Sequence, residues 1–128
     1  MRSLRTCLLA LLAALLLGAP SAQADPGCGF TSFPTIGNIH RFVGQPVVYD
    51  LTNNDSRYFD AIVDWGDGGD DGAAFNPGVS HEFSHSYSGA GSYGVTIYVR
   101  VADPTVPGGM CSMSVALGTV RVRGHAPH

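Results

Sequence analysis

The chain has no lysine, so all seven of its strong cations are arginines, and Glu82 is its only glutamate. Charged residues make up 13% of it and no run of basic residues occurs, which leaves no electrostatic footprint for nucleic-acid phosphates or anionic lipid. Neither class of partner is expected. No apolar run reaches the roughly twenty residues a membrane-spanning helix needs. Beyond Ala24, apolar residues never recur at three- and four-residue spacing for more than a turn, and Gly and Pro interrupt the chain every few residues. Helical folds and parallel α/β sheets are thereby excluded as expectations.

The one long apolar stretch, Cys7 to Leu17, follows Arg2 and Arg5 and leads to Gly18, Pro20 and the small-residue run Ala22-Gln23-Ala24. That is the build of a secretory signal peptide, with cleavage expected between Ala24 and Asp25. Loss of Arg2 and Arg5 with the leader takes the formal net charge from −3 to −5. No membrane insertion is expected afterwards, and the product should be secreted, to the extracellular medium or the cell envelope. Abundant Ala, Gly and Arg without Lys suggests a GC-rich bacterial coding sequence.

Of three cysteines, Cys7 lies in the leader, which leaves Cys28 and Cys111. In an oxidising compartment they are expected to form a disulfide. Closing a loop of about eighty residues stabilises the fold by roughly 4 to 5 kcal/mol in the chain-entropy model.

Past the leader, the chain reads as strands. From Tyr93 to Val101, Tyr93, Val95, Ile97, Val99 and Val101 alternate with Gly94, Thr96, Tyr98 and Arg100, so the first set should face a core and the second solvent. A strand is expected over Val47 to Thr52, ended by the turn-forming cluster Asn53-Asn54-Asp55-Ser56. Another runs from Tyr58 to Trp65 with Phe59, Ala61, Val63 and Trp65 inward. The last, Ser112 to Val122, changes parity between Leu117 and Val120, so a β-bulge is expected near Gly118. Short strands with turns between them point to an all-β sandwich. Gly66-Asp67-Gly68 reads as a tight turn, and Tyr87 and Tyr93 flank a loop where both rings can cover one end of the core.

The segments Gly44-Gln45-Pro46-Val47, Asp64-Trp65-Gly66-Asp67-Gly68, His85-Ser86-Tyr87 and Gly91-Ser92-Tyr93-Gly94-Val95-Thr96-Ile97 resemble, in order and spacing, the landmarks of a PKD domain, the polycystic-kidney-disease repeat. That family runs W-D-F-G-D-G, then H-x-Y, then G-x-Y-x-V-T-L; here Trp65 stands where it has Phe, and Val63 where it has Trp. The resemblance covers about Gly44 to Val122. It implies an immunoglobulin-like β-sandwich that acts as a spacer or as a binding module for an extracellular protein or polysaccharide. The expected organisation is a signal peptide over residues 1–24, an N-terminal segment and first strand over 25–43, the PKD-like sandwich over 44–122, and a flexible tail over 123–128.

Two motifs carry possible chemistry. His81-Glu82-Phe83-Ser84-His85 spells H-E-x-x-H, which binds zinc when a helix sets both histidines one turn apart. The glycines and Pro77 around it leave no room for a helix, so a small metal-dependent hydrolase is the lesser reading, and His85 is expected to bond a nearby backbone group. Asp64, Asp67, Asp70 and Asp71 invite a calcium reading, but the spacing lacks the loop's glutamate, and a solvated turn is expected. No catalytic residue, metal or cofactor is expected. Candidate contact residues are Thr96, Tyr98 and Arg100, on the outward side of the strongest strand.

Overall fold

The computed structural model describes residues 27–30 and 32–124. The leader, the Ala24–Asp25 cleavage point and most of the expected C-terminal tail lie outside the described residues. Seven strands form: β1 (Gly37–Phe42), β2 (Pro46–Thr52), β3 (Phe59–Asp64), β4 (Asp70–Phe75), β5 (Ser80–Ser86), β6 (Gly91–Ala102) and β7 (Met110–Arg123). The only helical element among the described residues is a single 3-10 turn, Pro107–Gly109. A five-stranded sheet in the order β1-β7-β6-β3-β4 faces a two-stranded sheet, β2-β5, an all-β arrangement consistent with a sandwich. β1 runs parallel to β7 and the other pairs are antiparallel.

Alternation along the strands sets the core, as expected for β3 and β6 and also along β2. Val47, Tyr49 and Leu51 of β2 meet Phe59, Ala61 and Val63 of β3, and Val95, Ile97, Val99 and Val101 of β6 extend the same cluster. Each such Val, Leu, Ile or Phe side chain, fully buried, contributes roughly 1.5 to 3 kcal/mol of transfer free energy. Phe75, Phe83, Trp65 and Tyr87 fill the space between the layers. Asn53 is the one buried polar residue among those described: its amide donates to the carbonyls of Arg57 and Phe75, and its oxygen accepts from the Asp55 amide. The turn cluster that ends β2 is thus fastened into the core by its first residue.

β4 is a strand that the sequence does not predict. Its residues, Asp70-Asp71-Gly72-Ala73-Ala74-Phe75, include no β-branched side chain, and what extends them is pairing along the whole of β3. Asp70 and Asp71 therefore sit on an edge strand, which corrects their expected place in a solvated turn. β7 extends through Arg123, paired with Phe42, so ordered strand continues one residue into the expected tail.

The bulge near Gly118 is present. Val95 opposes Gly118 while Thr96 opposes Ala116, so Leu117 is the extra residue, and the inward positions change from Val115 and Leu117 to Val120 and Val122. Gly118 has φ +145°, and a Cβ there would strike the carbonyl oxygen of Gly37 on β1. The missing side chain is what lets β1 lie against β7, with the Ile36 amide donating to the Leu117 carbonyl at 2.8 Å.

The Cys28–Cys111 disulfide, with Cα atoms 5.8 Å apart, ties the N-terminal segment to the start of β7. The same segment is held by Arg57, which donates to the Cys28 carbonyl at 3.0 Å and lies 5.0 Å over the Phe30 ring.

Gly118→Ala is expected to lower the unfolding free energy by about 2 to 4 kcal/mol, combining strain at positive φ with a backbone collision. Gly108→Ala is the matched control, because Gly108 also has positive φ, +84°, but nothing within 4 Å of a Cβ. Urea denaturation of both checks this; equal losses would show that the contact with β1 is not what requires Gly118.

Candidate functional site

Most motif residues gather at one end of the molecule. Gly66 (φ +87°) and Gly68 (φ +92°) shape the turn after β3, and a Cβ on Gly66 would strike the Gly94 carbonyl oxygen. Asp64 Oδ1 accepts from the Gly66 amide and Asp67 Oδ1 from the Gly69 amide, each at 2.9 Å. The buried Trp65 ring stacks on His85 with centroids 5.2 Å apart, and its Nε1 donates to Asp71 Oδ2 at 3.0 Å. The Tyr87 hydroxyl donates to the Trp65 carbonyl at 2.8 Å, and Tyr87 stacks on Tyr93 with centroids 4.3 Å apart. Tyr93 in turn donates to the Gly89 carbonyl, 2.7 Å away, and Gly91 packs against its ring. Trp65 belongs to the end of the large sheet and His85 to the small one, so this cluster joins the two layers.

His85 corrects an expectation. Its Nε2 lies 2.8 Å from Asp67 Oδ2, so its partner is a carboxylate rather than a backbone group. Burial raises the proton affinity of Asp67, but the bonds from His85 and the Gly69 amide outweigh it and hold this carboxyl below the ordinary range. Burial likewise pushes the Tyr87 phenol up to about 12. These groups are committed to one another.

The H-E-x-x-H string lies on β5. His81 and His85 there are about 13 Å apart along the strand, with the buried Phe83 between them. His81 meets the edge of Phe83, and His85 bonds Asp67. Among the described residues, no three His, Cys, Asp or Glu side chains converge in a way that could hold a metal ion. Asp64, Asp67 and Asp71 each accept a bond from the protein itself, and Asp70 pairs with Asp64 across β3 and β4.

A cleft of about 500 Å³ opens between the N-terminal segment and the end of β2, lined by Phe30, Pro34, Leu51, Asn53 and Asp55. Two of its polar groups are engaged: Asp55 receives the Arg57 guanidinium at 2.8 Å, and Asn53 bonds the Arg57 and Phe75 carbonyls and the Asp55 amide.

The outward face of the five-stranded sheet is different. Tyr98 on β6 and Ile62 on β3 are direct cross-strand partners, yet they remain 48% and 46% exposed. A lone exposed side chain of this size is ordinary, but two in register at the centre of a sheet form a surface that other strand positions do not cover. Around them is a shallow depression of about 480 Å³, lined by Asp60, Arg100, Ser112 and Ser114. Arg100 reaches Asp60 at 3.4 Å, and the Tyr58 hydroxyl donates to the same carboxylate. Thr96, Tyr98 and Arg100 therefore share one face as expected, with Thr96 only half-exposed. Sequence reasoning puts Ile62 on the outward side but does not connect it with Tyr98, because the pairing of β3 with β6 is a matter of topology.

The structure also brings His40 beside Arg121 and Arg123, a basic corner that the sequence displays only in part. In the parallel pairing of β1 with β7, His40 lies beside Arg121 and Phe42 beside Arg123. Arg121 and Arg123 are already two positions apart in the sequence, and this pairing adds His40 beside them. Comparison with protein-family models, curated proteins and solved structures finds no match to this chain.

The acid response of the polar clamps can be given a sign. The Arg57 guanidinium holds the Asp55 carboxyl down to about 2, against an ordinary value of 3.8. The folded chain thus binds that proton more weakly than the unfolded chain, and acidification favours unfolding. The stability from this pair is complete above pH about 4 and is lost as the pH falls toward about 2. Asp55→Asn should cost about 1 kcal/mol at neutral pH and almost nothing near pH 2. Denaturant titrations of wild type and variant between these limits measure the gap, and a gap independent of pH would refute the assignment.

Proposed function

We propose that this chain is a secreted, non-catalytic contact module of the PKD type, an immunoglobulin-like sandwich that binds an extracellular protein or polysaccharide through the outward face of its large sheet. The observation that carries this reading is the Tyr98–Ile62 pair, exposed at the centre of that face. The groups best suited to chemistry, His85, Asp67, Asp55 and Asp71, are meanwhile engaged in bonds that hold the fold together. The leader-like sequence over residues 1–24 and a single cystine support export. The landmark residues Trp65, Asp67, His85, Tyr87 and Tyr93 interlock in one cluster, which supports the PKD resemblance on physical grounds. A hydrolase built on His81 and His85 would need a helix where this chain has a strand, and no observation favours it.

Two measurements test this. Intact-mass analysis of the exported product should find Asp25 as its first residue; a product that keeps the leader would remove the secreted reading. Immobilised wild-type domain should capture a partner from culture fluid or native envelope, and Ile62→Ser with Tyr98→Ser should abolish that capture with little change in melting temperature. Val48→Ser is the control, since Val48 is similarly exposed, at 44%, but on β2 of the other sheet. Equal loss in the control, or none in the double variant, would rule the face out.

A further inference from the structure

Charge is divided across the large sheet. Neither β1 nor β7 carries an acidic residue, whereas β3 and β4 at the opposite side hold Asp60, Asp64, Asp70 and Asp71. Two of the five arginines beyond the leader are tied up in ion pairs, Arg57 with Asp55 and Arg100 with Asp60. The remaining three, Arg41, Arg121 and Arg123, all lie on β1 and β7. Arg41 turns back to bond the His40 and Pro46 carbonyls. Arg121 and Arg123 are exposed and have no carboxylate partner among the described residues. Two residues apart on one strand, they project from the same face about 7 Å from each other. With His40 and Ser92 they border a depression of about 450 Å³.

From this corner a strip runs along β6 and β7 to Tyr98. Its successive rungs pair Ser92 with Arg121, Gly94 with Thr119, Thr96 with Ala116 and Tyr98 with Ser114. The strip is about 20 Å long, lined with small and hydroxyl side chains, cationic at one end and aromatic at the other. Resting on the contact-face reading above, we infer that the ligand of this face is an acidic polysaccharide lying along β6 and β7, with its carboxylates or sulfates on Arg121 and Arg123 and a sugar ring on Tyr98.

Three features select that occupant. Guanidinium groups are donors only, with a planar fork that matches carboxylate or sulfate oxygens, so a neutral glycan would leave them without counter-charge. β6 and β7 are hydrogen-bonded to each other rung by rung beneath the strip, so a peptide lying along it gains no backbone pairing, and the small residues between form no pockets for its side chains. A long polyanion such as duplex DNA, laid across the sheet, would run onto Asp60, Asp64 and Asp70. A flexible glycan can follow the strip and avoid them, while its hydroxyls meet those of Ser92, Thr96, Thr119 and Ser114.

The test uses polygalacturonate and heparin as probes, with methyl-esterified polygalacturonate, poly-L-glutamate and duplex DNA as comparators, on the mature protein. Calorimetric titrations are run at about 50 and about 300 mM salt, where screening lengths differ roughly twofold. The expected result is binding to at least one acidic glycan, weakened by salt and absent with the esterified form. Arg121→Ser with Arg123→Ser should weaken it at least about tenfold, the scale of a lost charge-assisted bond, and Tyr98→Ser should weaken it too. Failure to bind either acidic glycan, equal binding to poly-L-glutamate or DNA, or full retention in the arginine double variant would each overturn the inference. If the arginine variant also keeps partner capture while Ile62→Ser with Tyr98→Ser loses it, only this inference falls; if both variants keep it, the contact-face reading falls as well.

Discussion

One extra residue in β7 decides which side of that strand is core. Side chains alternate along a strand, so if the same residues paired without a bulge, the set Met113, Val115 and Leu117 would continue inward as Thr119, Arg121 and Arg123. Two arginines would then be buried without partners, at a cost of several kcal/mol each. With the bulge, Val120 and Val122 are buried instead and both arginines face solvent. The same irregularity carries Gly118, whose lack of a side chain gives Gly37 and the rest of β1 room to pair. A single local device thereby completes the core, closes the sheet with a parallel strand and puts positive charge on its outer face.

At the other end of the molecule, polar bonding does what apolar packing alone would leave loose. A two-stranded layer has little area of its own, and β2-β5 is held by aromatic rings that span both layers. Trp65 stacks on His85, Tyr87 on Tyr93, and the Tyr87 hydroxyl reaches back to the Trp65 carbonyl. No buried side-chain polar atom among the described residues lacks a partner. Such satisfied networks favour one arrangement over its neighbours, since any slip between the layers would strand several groups at once.

Alternation and turn chemistry account for what is legible in the residues. The strand over Val47 to Thr52, the inward sets of β3 and β6, the break in parity near Gly118, the tight turn at Gly66-Asp67-Gly68 and the pairing of Cys28 with Cys111 can all be read without knowing the fold. β4 cannot, because its small and acidic residues have no strand preference, and pairing with β3 supplies the extension. The Asp67 partner of His85 is hidden for a related reason: the two are eighteen positions apart and meet only when the layers stack. The place of His40 beside the two arginines is hidden most deeply. His40 and Arg121 stand near opposite ends of the described chain, and only a parallel pairing between its first and last strands makes them neighbours.

That pairing bears on function through the location of uncommitted groups. In a chain with few charges, most ionic side chains among the described residues are bound to one another, to the backbone or to a neutral side chain: Asp55 to Arg57, Asp67 to His85, Asp71 to the Trp65 indole, Asp103 to the Thr105 amide. Groups so occupied would have to break structural bonds before engaging a ligand. Arg121 and Arg123 would break none, and Tyr98 and Ile62 would gain the burial that their own fold denies them. All four lie on the outward side of one sheet, joined by a strip of small residues over which a chain can pass without obstruction. Under the proposed reading, recognition at this face would come at low structural cost, and the opposite charge at its β3-β4 side would limit how far along the sheet an anionic partner could extend.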